Sequence, residues 1–554
     1  MNLLTRSSFK LFSQPGFTNA IAIAVALLFA STPLKSLAST NDFDVLCYHD
    51  VSKTPPKDAY GITLAQLQEQ FEFLQKNYAI VSIDDVILAS QGKKTLPAKA
   101  VLITFDDGLA SFYDLVYPLL KRYKLPAVFA VVGKWVEDGK APDYGYADVN
   151  PPMVTWKQLK EMSDSGLVAV VSHTYDMHHG HIFNPQGNEQ ASAGFLRFNL
   201  ESKSFETEKD FFARVKTDLA KNEDLIRKHI GKNYPLIVWP YGTYNGLSQK
   251  AATELGMPMQ FSIDKGLNNT GNLTLVHRGM LLSHYSLSTF AEGMKTSFVY
   301  EAPVRAVSVD LDSLWVGSED ESNVNLGKLN DKTAEVRPNL ALIQTFSAKG
   351  EAYFPTSQLT MKANFFPRVA HILQNRSRVE KVYAAVPLQY LKNSPNPEQL
   401  IHDLATYSDI DGIFFDSRGA GAKKIEKLIE QAMKTGSEMR PSWNYGLIGP
   451  VSSIKTDKFK YIIKDFYWGS SKSKLSKTVR EFQDPKMPTM PTMIASFDAK
   501  NVAGIPESYK KMRDLGLNNF FLPISLNSYT DLSFLKINFH STNSPFSFSQ
   551  DEQK

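Results

Sequence analysis

Four short apolar runs in the first half of the chain, each breaking off in polar residues, set the fold that these residues can adopt. They are "FDVLCYHD", ending at His49 and Asp50; "AVLITFDDG", ending at Asp106 and Asp107; "GLVAVVSHTYDMHH", reaching His173 and His178; and "PLIVWPYG", ending at Trp239 to Gly242. Runs of this length, rich in β-branched residues, are buried strands. The segments between them, such as "TLAQLQEQFEFLQKN" and "FFARVKTDLAKNEDLIRKHI", repeat apolar residues at three- and four-residue spacing and are helices. Strand, polar strand end and helix in repetition give an α/β fold with a parallel sheet or barrel. In such folds the loops after the strands gather on one face, so residues far apart in sequence become neighbours.

The pattern resumes beyond "SFVYEAPVR", where Pro303 marks a domain junction near residues 297–304. Six further strands are predicted, "RAVSVDLD", "LALIQTF", "KVYAAVP", "DGIFFD", "TMIASFD" and "NNFFLPI", alternating with helices such as "EQLIHDLATYS" and "KKIEKLIEQAMK". About 240 residues of this kind fit a second barrel, near the ~250 of an ordinary (β/α)8 domain. A chain of 554 residues is in any case too long for one core. The expected division is residues 1–38, 39–299, 300–545 and a tail, 546–554.

Residues 1–38 read as a cleaved signal peptide. Arg6 and Lys10 precede the apolar run Ala20 to Ala30, and Ser36 and Ala38 are small residues placed for cleavage. The run is well short of the ~20 residues that span a bilayer. Without this segment the balance falls from 61 basic and 57 acidic residues to 58 and 57, which gives no reason to expect nucleic acid as a partner. The one cysteine, Cys47, cannot form an internal disulfide, and "DVLC" lacks the small residue that lipid attachment requires; a buried strand thiol is expected.

Asp107, His173 and His178 are ligands of the sort that hold a catalytic divalent ion and leave positions open for water and substrate. Such a set suits Zn²⁺, Ni²⁺, Co²⁺ or Fe²⁺. A second carboxylate beside the first, Asp106, can serve as a base toward the water, because adjacent residues leaving a strand point different ways. Alone, "DDG" is a common solvated turn. Its conjunction with "SHTYDMH" at a second strand end and "PYG" at a third is what points to chemistry.

"TFDDG" resembles the first motif of the polysaccharide deacetylases of carbohydrate esterase family 4, and "SHTYDMH" resembles their metal-binding histidine motif. Within that family the likeness is to the two-domain bacterial poly-β-1,6-N-acetylglucosamine N-deacetylases, through "CYHD", the long loop "HTYDMHHGHIFNPQGN", "VWPYG", and a second domain with "VDLD", "YFP" and "DGIFFD". The resemblance implies an N-terminal (β/α) barrel-like deacetylase domain followed by a glycoside-hydrolase-like barrel. It implies Asp106 as general base and Asp107, His173 and His178 as ligands of one divalent metal ion, with His179 and His181 as substitutes. The proton donor to the leaving amine would be His49, with His277 of "LTLVHRG" competing. Tyr241 would lend its backbone N–H to the oxyanion, and Trp239 beside it is a further candidate for the substrate face or else a core aromatic. The "VWPYG" turn lacks the arginine that the wider family places before its proline, so the partner that orients Asp106 is missing from its usual position. The implied partners are the polysaccharide and an outer-membrane export porin, and the implied location is the periplasm.

In the second half Asp310, Asp312, Asp416 and Asp498 lie at or near strand ends, where a glycosidase would keep its carboxylates and where aspartates also cap helices. In the resembling enzymes the strand matching "GIFFDSRG" ends in an acidic pair; Asp416, Ser417 and Arg418 stand there in this chain. Binding of partly deacetylated polymer is therefore expected rather than its cleavage, with Trp315, Tyr353, Tyr467 and Trp468 as stacking candidates. The leading expectation is a secreted metal-dependent deacetylase of a β-1,6-linked N-acetylglucosamine exopolysaccharide. The alternatives are a polymer-binding export module with weak deacetylase activity and a glycosidase centred on the second half.

Overall fold

The computed structural model describes residues 41–56, 58–142, 151–418, 425–449, 457–465, 492–498, 502–514, 516–526, 528–530 and 532–540. The expected signal segment, 1–38, lies outside the described residues, as do Tyr467 and Trp468. Among the described residues no helix is long and apolar enough to cross a membrane.

The first domain is built on a nine-stranded half-barrel sheet. Its strands are β1 (Asp42–Tyr48), β2 (Ala79–Val81), β3 (Ala100–Phe105), β4 (Ala127–Val131), β5 (Val168–Ser172), β6 (Leu236–Val238), β7 (Met259–Phe261), β8 (Asn268–Asn269) and β9 (Gly279–Met280). The order is β7-β6-β5-β4-β3-β1-β8, with β2 also beside β3 and β9 beside β1; only β8 runs antiparallel. Side chains alternate between two cores, Leu46, Ile103, Phe129 and Val170 on one face and Val45, Leu102, Val128 and Val171 on the other. Covered on both sides, these strands read as the continuous apolar runs that make them legible. The helices that cover them start where the sequence provides caps, as where Thr63 and Gln66 form a capping box at the start of Leu64–Asn77.

Register brings the strand ends level. Tyr48 pairs with Phe105, Phe105 with Phe129, Val131 with Ser172, and Ser172 with Ile237. The residues that follow, His49, Asp106, His173 and Trp239, therefore leave the sheet side by side.

The second domain is a closed barrel of eight parallel strands, β10 (Arg305–Val309), β11 (Leu340–Gln344), β12 (Lys381–Pro387), β13 (Gly412–Asp416), β14 (Asn444–Ile448), β15 (Tyr461–Asp465), β16 (Thr492–Ser496) and β17 (Phe520–Ser525), with β17 paired to β10. Two of these, β14 and β15, are absent from the six strands read in the sequence. "NYGLI" and "YIIKD" mix polar residues, and in β14 a glycine, into short runs, and their place is set by pairing with β13 and β16. The domains are fastened by Arg440 of the barrel, which is buried. It donates to the carbonyls of Gly194 (2.8 Å) and Ala405 (2.9 Å), and its guanidinium lies 4.1 Å from the Phe195 ring centroid.

Candidate active site

Asp106 leaves β3 still attached to the sheet, its N–H donating to the Tyr48 carbonyl at 3.0 Å. The chain then turns sharply, with Asp107 at φ 79° and Gly108 at φ 90°. Left-handed backbone at a non-glycine residue is uncommon, and here it recurs at Thr174 (φ 68°) and Tyr241 (φ 57°), beside two further strand ends. Strained residues of this kind gather at functional sites because the surrounding fold must hold them. At Gly242 (φ 65°) a Cβ would stand 2.5 Å from the Ile263 nitrogen, so the "PYG" turn depends on that glycine.

The turn after β3 aims Asp107 at two imidazoles. Its Oδ1 lies 3.5 Å from His173 Nε2 and 3.3 Å from His178 Nε2. The His173 Nδ1 is 2.7 Å from the Val238 carbonyl, which can only accept, so Nδ1 carries the proton and Nε2 turns a lone pair toward Asp107. Asp107 Oδ1 is buried and has no hydrogen-bond partner. A carboxylate oxygen without a donor, facing a ring nitrogen without a proton, fits a divalent cation between them.

The five-residue separation of the histidines is spanned by a loop clamped from below. Asp218, on the helix Glu208–Ile230, accepts from the N–H groups of Tyr175 (2.7 Å) and Asp176 (2.8 Å). Burial raises the Asp218 carboxyl to about 6 even though both N–H groups favour its charged form. On the outer side, His178 packs between Trp135 (4.7 Å between ring centroids) and Tyr241 (4.5 Å). Tyr241 is 43 % exposed and borders the site.

Asp106 points the other way, into the domain. Its Oδ1 accepts from Arg278 Nη1 at 2.8 Å, and its Oδ2 faces the Cys47 thiol at 3.5 Å. Arg278 is 1 % exposed and also donates to the Ser262 carbonyl (2.7 Å) and the Thr104 hydroxyl (3.2 Å). Burial alone would raise the Asp106 carboxyl, but the charge and hydrogen bond of Arg278 bring it below the ordinary carboxylate value. It is thus held as the anion. Arg278, just before β9 and 172 residues beyond Asp106, stands in for the arginine absent from the "VWPYG" turn. In "LTLVHRG" the sequence points to His277 and not to the arginine beside it. The signal available was a charged residue next to a buried strand; what it lacked was the pairing of β9 with β1, and of β1 with β3.

His49 offers a ring nitrogen within 4.8 Å of both the Asp106 carboxylate and the Cys47 sulfur, and its Nδ1 is buried without a partner. His277 joins neither this group nor the Asp107 group; its ring packs over Gly266. His179 and His181 also stay outside. The His179 Nδ1 sits 2.9 Å from the Gly180 carbonyl, while burial and the charges of Arg214 and Arg197 push His181 down to about 4.

Trp239 does not reach the substrate face. It is fully buried, donates its indole N–H to Gln260 Oε1 at 2.6 Å and stacks on Tyr244 at 5.7 Å, because β6 turns it inward against the helix Glu208–Ile230 and the helix Gly246–Glu254. In the barrel, Tyr353 is likewise core, its hydroxyl donating to Asp312 at 2.8 Å. Trp315 is partly buried against Phe365. Asp310 caps the short helix Leu311–Leu314, accepting from the Asp312 N–H. Asp312 is ion-paired with Lys362 at 2.6 Å and Asp416 with Arg418 at 2.7 Å.

The polysaccharide deacetylase family matches residues 93–260, and a family described as hypothetical glycosyl hydrolase family 13 matches residues 308–398. The poly-β-1,6-N-acetyl-D-glucosamine N-deacetylase of Escherichia coli is 30 % identical over 420 residues, 68 % of this chain and 62 % of that protein. This chain thus spans less than two thirds of that relative's length. Among solved structures, a de-N-acetylase from Aggregatibacter actinomycetemcomitans is 33 % identical, covering 45 % of this chain and 99 % of that one, with a TM-score of 0.42. The BpsB deacetylase domain from Bordetella bronchiseptica is 34 % identical, covering 44 % and 96 %, with a TM-score of 0.38.

Proposed function

We propose that this chain, whose first domain is a polysaccharide deacetylase domain, is a metal-dependent N-deacetylase that removes acetyl groups from a β-1,6-linked N-acetyl-D-glucosamine polysaccharide. The observation that carries the chemistry is the pair of aspartates with opposite surroundings. Asp107 presents a buried, undonated oxygen to two histidines, and Asp106 is kept anionic by Arg278.

Asp107, His173 and His178 would hold one divalent ion, of the Zn²⁺, Ni²⁺, Co²⁺ or Fe²⁺ kind. When bound, such an ion polarises a carbonyl and lowers the pKa of a water toward ~7. Asp106 takes the proton from the water that attacks the acetamide carbonyl. Arg278 keeps Asp106 in place and holds it as the anion until that transfer. The Tyr241 turn supplies backbone N–H to the oxyanion. His49, whose ring nitrogen lies within 4.8 Å of the Asp106 carboxylate, returns a proton to the departing amine, giving acetate and a glucosamine residue in the polymer. Its neighbourhood with Asp106 favours His49 over His277.

The substrate rests on the relatives' names and the second domain contributes polymer binding in this reading; the ion pairs on Asp312 and Asp416 speak against cleavage there. The expected signal segment supports a periplasmic location, from which polymer would pass to an outer-membrane porin. The test is acetate release from β-1,6 and β-1,4 N-acetylglucosamine oligomers by metal-loaded protein and by Asp106→Asn. Equal release by both proteins sinks the mechanism, and preference for the β-1,4 oligomers sinks the substrate.

A further inference from the structure

The two histidines of the candidate ion site are held by different parts of the molecule. His173 is fixed from within the first domain, its N–H donating to the Val131 carbonyl at 3.0 Å and its Nδ1 to the Val238 carbonyl at 2.7 Å. His178 stands between two anchors. Upstream is the Asp218 clamp on Tyr175 and Asp176. Downstream, beginning two residues later, is an antiparallel hairpin, Gly180–Ile182 with Glu189–Ala191. The residue that closes it is tied back beside the ligand, the Ser192 N–H donating to the His179 carbonyl at 3.0 Å.

An isolated two-stranded hairpin is marginally stable at best in water, and this one leans on the barrel. From the first domain, Arg214 reaches its base, at the Ser192 carbonyl (3.1 Å). Its tip and second strand are met by the barrel. At the tip the Gln186 amide donates to Glu319 Oε1 (2.7 Å) and the Asn364 carbonyl (3.0 Å), and the Phe183 ring lies 6.1 Å from that of His371. In the second strand the Gln190 amide donates to the Asp409 carboxylate and reaches His371 Nδ1 at 3.5 Å. Just beyond, Gly194 and Phe195 receive Arg440. Glu319 opens the helix Glu319–Val336, His371 lies on the helix Phe366–Asn375 and Arg440 follows the helix Ile425–Met439, so the hairpin is docked across the outer helices of the barrel.

A metal ligand on an unanchored loop must be ordered when the ion binds, and the conformational freedom lost then is subtracted from the affinity. A loop already ordered by docking avoids that loss. We propose that the barrel tightens the ion site of the first domain by holding this hairpin, with Gln186 and Gln190 as positioning residues for His178. The proposal rests on the ion site of the deacetylase reading, and it gives the second domain a task that involves no sugar.

Competition for Co²⁺ between a chelator and the full chain tests it, because it reads the ion site without substrate or turnover. Gln186→Ala/Gln190→Ala removes the two amides that reach the barrel. It is expected to weaken Co²⁺ binding by about tenfold, the lower end of what partners behind a metal ligand contribute, and to alter the visible absorption of the bound Co²⁺. The single variant Gln190→Ala, a milder change that guards against misfolding, is expected to lose about threefold. Glu189→Gln, exposed on the same hairpin, is expected to change affinity by less than about twofold. Unchanged affinity in a folded Gln190→Ala protein and in the double variant, or an equal loss in Glu189→Gln, overturns the coupling and leaves the deacetylase reading standing. A lower melting temperature without weaker Co²⁺ binding overturns it too, since it shows a fastening between domains and nothing more. If the unaltered chain binds no Co²⁺, the ion site itself falls and the coupling falls with it.

Discussion

In the first domain Asp107, just past β3, keeps one buried oxygen with no donor and two imidazole nitrogens in front of it. In the second, Asp312, just past β10, has both oxygens fully engaged. Oδ1 accepts from Tyr353 (2.8 Å) and Lys362 (2.6 Å), and Oδ2 from Gln344 (2.9 Å) and the Ala348 N–H (2.8 Å). Both aspartates follow parallel strands whose ends line one face, so position alone does not separate them. What separates them is whether the chain itself completes the carboxylate's coordination. A carboxylate satisfied by its own fold serves structure, and one left open by a fold that could have closed it is available to something from outside.

The comparison breaks most sharply at Asp107. Asp107→Ala should abolish stoichiometric metal binding, read by elemental analysis of the purified protein, and lower acetate release by about 10³-fold or more, the several kcal/mol a catalytic ion supplies. Retention of full metal content would remove Asp107 from the ligand set. Asp106→Asn should keep the metal while kcat falls by roughly 10²–10⁴-fold, since it removes the base and little else. Arg278→Met leaves Asp106 buried without its cation and should cost about 3–5 kcal/mol in a denaturation experiment, the range for a broken buried pair. A loss under about 1 kcal/mol would mean that Asp106 needs no partner.

On the barrel side the effects are smaller. Burial alone would raise Asp312, but Lys362, Tyr353 and Gln344 hold it at about 2. A carboxyl depressed in the folded state contributes stability above its unfolded pKa of about 3.9, and that contribution fades as pH falls toward about 2. Lys362→Met should therefore flatten the fall in melting temperature across that window; an identical profile would show that Lys362 does not hold the Asp312 charge. Asp416→Asn, whose partner Arg418 is 44 % exposed, should change stability by no more than about 1 kcal/mol.

Much of this architecture was legible because parallel strands covered on both faces leave unbroken apolar runs, and because ligand types at three strand ends are rare enough in combination to be noticed. Asp106, Asp107, His49, His173 and His178 could be named from residues 45–180 without coordinates. Arg278 could not, since its role exists only through the pairing β9-β1-β3. Trp239 precedes the "PYG" turn and so is a candidate for the site as well as for the core, and the strand's alternation sends it inward, where Gln260 satisfies its N–H. Strands β14 and β15 escaped because neighbours in a closed barrel, more than their own propensity, make them strands.

Cys47 is the chain's single thiol, fully buried, and burial holds its pKa well above the ordinary value. It therefore stays unreactive for as long as the strand ends remain closed. Since its sulfur touches the carboxylate of Asp106, the rate at which a thiol reagent labels the native protein reports how often the chain opens around that buried carboxylate. The molecule carries an internal clock for that opening, readable without introducing any foreign label site.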